Sequence, residues 1–136
     1  MSQDKTWFYK SFWLEENEIV FIEMIGDFDN DAIIEMNTHV RDKYLAPASH
    51  KIHCVMDATG LSSYPNNLKV LHKATEVSVR HPNMGWVILV GFDNPILRFI
   101  GGAIGQILNV NFRQVKSLEE ARKTLEHITG KSPAKT

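Results

Sequence analysis

Cysteine is nearly missing from this chain, with one residue, Cys54, among 136. A lone thiol closes no intramolecular disulfide, which excludes the stapled secreted scaffolds and leads us to expect a reducing, cytoplasmic setting. An excess of one charge is missing too: 15 Lys and Arg stand against 16 Asp and Glu, a net charge of -1. Without a basic field nothing draws in a phosphate backbone, so nucleic acid is not expected as a partner. Met1, Ser2, Gln3 and Asp4 lack the basic-then-apolar pattern of a secretion signal. No apolar stretch reaches the roughly 20 residues of a membrane span. The nearest, 95–110, is shorter and carries Arg98 and Gln106. A phosphate-binding loop is absent as well. Gly101-Gly102-Ala103-Ile104-Gly105 falls inside an expected helix and lacks the lysine that nucleotide hydrolysis would need.

What is present is an ordinary globular composition, 43% hydrophobic and 23% charged. One domain is expected over 1–130, with 131–136 as a flexible basic tail after Gly130. Residues 6–13 and 19–25 read as two strands of a hairpin, joined through the polar turn Glu15-Glu16-Asn17-Glu18. Apolar residues then recur at helical spacing from Ile33 to Tyr44, until Pro47. The short run 52–56 reads as a buried strand that enters a loop at Asp57-Ala58-Thr59-Gly60, and 66–80 reads as a second helix. Residues 86–90 make a further strand, Asn94-Pro95 opens a third helix to about Leu108, and 112–115 make the last strand. Ser117-Leu118-Glu119-Glu120 fits a capping box that starts a fourth helix. The order β-β-α-β-α-β-α-β-α predicts an α/β fold, a mixed sheet with an N-terminal antiparallel hairpin and about four helices.

Candidate chemistry is thin. Asp27, Asp29 and Asp31 have the spacing that opens a calcium loop, but Ala32 and Thr38 occupy the positions that need glycine and a bidentate acid. These acids are expected to cap the first helix. His53 and Cys54 are adjacent on a strand and point to opposite faces, so with His50 they cannot converge on a metal. Cys54 lies in an apolar run, the wrong setting for a nucleophile. No catalytic set, metal or cofactor is expected.

Two apolar features call for burial. On the segment 95–108, Phe99, Ile100, Ala103, Ile104 and Ile107 belong to an arc wider than one sheet contact requires. Either the helix is buried between the sheet and its neighbours, or the strip docks a partner, a second copy or a lipid-like ligand. In the first strand Trp7, Tyr9 and Trp13 fall on one face and Phe8 and Phe12 on the other, so both faces call for cover. A homodimer contact is one way to supply it.

The stretch Val55-Met56-Asp57-Ala58-Thr59-Gly60-Leu61, leading through a short loop to a helix near Asn66, resembles the strand-loop-helix of STAS domains, the SpoIIAA-like family of anti-sigma-factor antagonists. Val115-Lys116-Ser117-Leu118-Glu119-Glu120-Ala121-Arg122 is similar to the end of those proteins, and the order of elements agrees across nearly the whole chain. The resemblance implies a non-catalytic module that binds a regulatory protein, such as an anti-sigma-factor-like kinase. In the family an Asp-Ser-Ser-Gly motif at the helix start carries a phosphorylated serine whose charge breaks the complex. Here that stretch reads Pro65-Asn66-Asn67-Leu68, so the usual switch is not expected. Partner contacts are expected at Ser62, Ser63, Tyr64, Asn66, Asn67 and Lys69, with Ser62 and Ser63 as the available phosphoacceptors. The alternative is a small carrier of a lipid-like ligand that uses the segment 95–108.

Overall fold

A computed structural model describes residues 6–130 apart from 66, 92–94, 96, 97, 100, 101 and 103–110. Strand β1 (Trp7–Glu15) and strand β2 (Ile19–Asp27) form the expected hairpin, antiparallel from Trp7 opposite Gly26 to Trp13 opposite Val20. The turn between them holds Asn17 at φ 62, a left-handed position that asparagine tolerates better than most residues. Helix α1 (Asn30–Val40) runs into a π-helical turn (Arg41–Leu45), followed by strand β3 (Ile52–Ser63), helix α2 (Leu68–Val79) and strand β4 (Met84–Val90). Strand β5 (Phe112–Val115) and helix α3 (Leu118–Thr129) end the described chain. Between β4 and β5, Pro95, Arg98, Phe99 and Gly102 are helical, and the rest of the expected helix 95–108 lies outside the described residues, as does the tail 131–136. Three helices thus have defined bounds among the described residues, against about four expected.

The strand order is β1-β2-β3-β4-β5, with every pairing after the hairpin parallel. Each parallel strand lies beside its predecessor, so right-handed crossovers return to one face of the sheet. There α1 and α2 bury Ala32, Ile33, Met36, Val40, Ala74 and Val79 against Val20, Ile22, Met24, Cys54, Met56 and Leu89. Phe99 packs against this core too. Helix α3 follows β5 and covers the other face, where Ala121 and Leu125 meet Ile19, Phe21, Val55, Ile88, Val90 and Val115. The alternation Val87/Leu89 on one core and Ile88/Val90 on the other follows from the two-residue period of a strand buried on both sides. Each such side chain contributes about 1.5–3 kcal/mol through burial.

Local signals in the sequence set the helix ends. The Asp29 carboxylate accepts from the Ala32 N–H at 2.8 Å and caps α1. Ser117 Oγ accepts from the Glu120 N–H at 3.2 Å, and Glu120 Oε1 accepts from the Lys116 N–H at 2.9 Å, a capping box displaced by one residue on its return bond. Gly130 at φ 75 closes α3, its N–H donating to the Glu126 carbonyl at 2.8 Å.

Three expectations are corrected. The loop placed at Asp57-Ala58-Thr59-Gly60 is strand: β3 continues to Ser63, with Gly60 opposite Ile25 and Leu61 opposite Gly26. Ala58 and Leu61 point into the core, and irregular register beside Ile25 and Asp27 absorbs the extra residues. Secondly, α1 ends at Val40, and the π-helical turn carries the chain on toward Pro47. Thirdly, burial of both faces of β1 holds for one only. Trp7, Tyr9 and Trp13 pack against the core under α1, whereas Phe8 and Phe12 are 44% and 47% exposed. The edge strand extends past the cover that α3 supplies.

Candidate functional site

The ends of β2 and β3 and the starts of α1 and α2 form one crest of the sheet. Ser63 Oγ donates to Asp27 Oδ1 at 3.0 Å across the β2–β3 pair, and the Phe28 N–H donates to the Ser63 carbonyl at 3.1 Å. Asp57 is not at a strand end but inside β3, where Oδ1 accepts from the Thr59 N–H at 3.0 Å and the Thr59 hydroxyl at 2.7 Å. This local turn of hydrogen bonds is engaged with its own strand and shows no acid–base partner. Asn67 Oδ1 accepts from the Lys69 N–H at 2.9 Å and caps α2, as its place before the helix suggested. The first turn of α2 contains no acidic residue, so the positive end of its dipole meets no side-chain counter-charge from that turn.

Of the residues singled out in the sequence, Ser62, Ser63, Asn67 and Lys69 are exposed on this crest. Tyr64 belongs to it but is half-buried, packed against the α1–α2 core, and burial pushes its phenol well above the ordinary tyrosine range. Asn66 lies outside the described residues. Of the apolar strip, Phe99 packs against the core, while Ile100, Ala103, Ile104 and Ile107 lie outside the described residues.

His53 and Cys54 diverge as expected from their adjacency. Cys54 is buried under the helices, and burial pushes its thiol up to about 12, far from the thiolate that reactivity needs. His53 faces the other way, and its Nδ1 accepts the Trp86 N–H at 2.9 Å. Among the described residues no group of three or more His, Cys, Asp or Glu can hold a metal ion. Among the same residues no helix is long and apolar enough to cross a membrane.

One cluster was not visible in the sequence. Ser11 Oγ lies 2.9 Å from His39 Nε2 and accepts the Tyr44 hydroxyl proton at 2.9 Å. The Ser11 hydroxyl thus bridges the Tyr44 phenol and the His39 ring nitrogen. Burial, then Lys43, hold His39 below the usual histidine range. Glu35 and Asp42 lie close enough to act on the same imidazole, each opposing the lowering. The cluster ties the π-helical turn to the edge strand.

A five-stranded mixed sheet with an N-terminal hairpin, two helices on one face and a C-terminal helix on the other is a SpoIIAA-like α/β fold. No protein-family model matches the chain, and no curated protein matches it by sequence. Solved structures do. The fold is similar to that of an uncharacterized DUF3478-family protein with a SpoIIAA-like fold from Shewanella loihica, at TM-score 0.64 and 12% identity over 92% of this chain and 98% of that one. It is also similar to the Bacillus cell fate determinant SpoIIAA in its phosphorylated form, at TM-score 0.56 and 13% identity over 87% and 99% of the two chains.

Proposed function

We propose that this chain is a non-catalytic, cytoplasmic regulatory module that binds a protein partner over the crest formed by the end of β3 and the start of α2. The observation that carries this reading is the grouping of exposed Ser62, Ser63, Asn67 and Lys69 at a helix start with no acid in its first turn. Such a surface offers hydrogen-bonding groups and the Lys69 ammonium, beside the exposed carboxylates of Asp27, Asp29 and Asp31, to a regulatory protein of the anti-sigma-factor-like kinase type that the resemblance implies. Tyr64, packed against the α1–α2 core, adds a contact at the edge of this surface, and Asn66 is proposed as a contact from its place in the sequence alone.

The module works without the usual phosphoserine switch. Asn67 uses its side chain to cap α2, where the family pattern carries serine in this stretch. Ser63 already donates to Asp27, so a phosphate there would stand beside a carboxylate. Ser62 is then the remaining acceptor on the crest.

The test is affinity purification of the tagged full chain from its source cells, beside Lys69→Glu. Recovery of one stoichiometric protein by the native chain, lost with Lys69→Glu at unchanged melting temperature, is the expected result. Equal recovery by both removes the crest from the interaction. Native mass spectrometry before and after organic extraction separates the carrier alternative, which requires an apolar species that leaves with the solvent.

A further inference from the structure

At the end of the sheet opposite the crest, where β2 and β3 begin, the chain encloses a cleft of about 440 Å³. That volume falls in the range of small-molecule sites. Trp13 forms its aromatic wall and is backed by Tyr44, the two rings edge to face at 5.0 Å and 88°. Tyr44 is buried and fixed by its hydroxyl bond to Ser11 at 2.9 Å, so the wall is set before any ligand arrives. Lys43 stands beside it with Nζ 5.4 Å from the Tyr44 ring centroid. His50, Ser49 and Asn17 add polar groups to the lining.

The charge of the lining has one sign. Lys43 supplies its ammonium and His50 an imidazole, and no carboxylate is among the lining residues. The acids next to the lining in sequence are Asp42, paired with Arg41 at 2.8 Å, and Glu16 and Glu18 on either side of Asn17. His50 Nδ1 is 3.0 Å from the Lys51 carbonyl. A carbonyl only accepts, so this nitrogen carries a proton and Nε2 of the neutral ring is an acceptor, suited to a ligand hydroxyl rather than to its anion. Three departures from regular backbone frame the same cleft: the bulge between Trp13 and Glu15, left-handed Asn17 and the π-helical turn that carries Lys43 and Tyr44. Bulges and π-turns re-aim side chains, and here they turn a ring wall and an ammonium toward one space.

We infer that this cleft binds a small organic anion bearing a flat ring, of which an aromatic carboxylate is the simplest kind. The ring lies against Trp13, with Tyr44 buried behind it, and the anion meets the Lys43 ammonium. The site is separate from the proposed partner crest and does not depend on it.

The test is a nitrogen-15 NMR titration of the full chain with salicylate, beside salicyl alcohol, which has the ring without the charge, and acetate, which has the charge without the ring. Salicylate is expected to give saturable shifts at the Lys43, Ala48, Ser49 and His50 amides. Each control should bind at least about tenfold more weakly, the scale of one charge-assisted contact or one buried ring. Lys43→Met should weaken salicylate about tenfold at unchanged melting temperature. Equal binding of salicyl alcohol, shifts centred elsewhere, or no saturation below about 10 mM would overturn the assignment. A shift pattern that acetate reproduces in full means an adventitious ion only, and overturns it as well.

Discussion

The Ser78 hydroxyl donates to the Asn37 carboxamide oxygen in the buried seam between α1 and α2, while Asn37 Nδ2 donates to the Ile33 carbonyl at 2.8 Å. Both residues are almost wholly buried, at 3% and 2% exposure, and each satisfies the other. Such a pair contributes little net energy when made but costs much when half of it is removed.

Ser78→Ala is therefore expected to destabilise the fold by about 1–3 kcal/mol, because Asn37 Oδ1 loses its donor in a buried site. Urea unfolding of Ser78→Ala, Asn37→Ala and the double variant measures the coupling. A loss under about 0.5 kcal/mol for Ser78→Ala, or strict additivity, would show that the seam does not depend on this bond.

His53 predicts how stability varies with pH. Its Nδ1 must be unprotonated to accept the Trp86 N–H, and burial holds its pKa below the ordinary 6.5. Between the lowered folded value and the unfolded value near 6.5, the unfolded chain binds more protons, so stability rises with pH through that window and is level above it. His39, also lowered by burial, adds a slope of the same sign. His53→Asn keeps an acceptor near the Nδ1 position and removes the titration. Its urea midpoint should vary less between pH 5.5 and 7.5 than that of the native chain, with the His39 part remaining. An unchanged slope would mean that His53 takes up its proton as easily folded as unfolded.

Two glycines should respond in opposite directions. A Cβ on Gly85 would stand 2.5 Å from His53 Nδ1 and 3.2 Å from the Ile52 carbonyl, so Gly85→Ala should cost about 1–3 kcal/mol by displacing the ring that accepts from Trp86. Gly102 is helical, exposed and meets nothing within 4 Å. Gly102→Ala should stabilise by about 0.5–1 kcal/mol through helix propensity. Thermal melts of the two variants settle both signs. A destabilised Gly102→Ala would show that this glycine is required for a close approach.

The features legible in the sequence were those decided within a few residues. Asp29, Asn67 and Ser117 cap their helices because a short polar side chain precedes an amphipathic run, and Phe112–Val115 is bounded as its apolar pattern suggested. The continuation of β3 was hidden, because Asp57, Thr59 and Gly60 carry turn chemistry, whereas the strand is held by long-range pairing of Asp57 with Glu23 and Val90, Gly60 with Ile25, Leu61 with Gly26 and Ser63 with Asp27. Within the crest, the polar positions could be marked, but not the Ser63–Asp27 bond, which spans 36 residues. The Ser11–His39–Tyr44 cluster was out of reach for the same reason. Its members meet across 28 and 33 residues through a π-helical turn that no local pattern announces.

Phe8 and Phe12 carry the remaining prediction. They flank Lys10 on the face of β1 that α3 leaves open, and Lys10 Nζ lies 3.9 Å from Glu23 on the neighbouring strand. The Phe12 ring rests 5.0 Å from Phe21, so the patch is anchored to the core beneath it. A face with apolar ends and both a cation and an anion at its centre can complement itself about a two-fold axis, each Lys10 reaching the partner's carboxylate. Edge-to-edge pairing of β1 is the poorer route, since the bulge at Trp13/Glu15 and the charged Lys10 both oppose it. We therefore expect a face-to-face homodimer, which sedimentation at micromolar concentration should reveal. Phe12→Ser, which removes a ring 47% exposed in the single chain, should return the protein to a monomer without lowering its melting temperature by more than a few degrees. A native chain that sediments as a monomer throughout this range would leave Phe8 and Phe12 as isolated surface rings, and a dimer that survives Phe12→Ser would place the interface on another face.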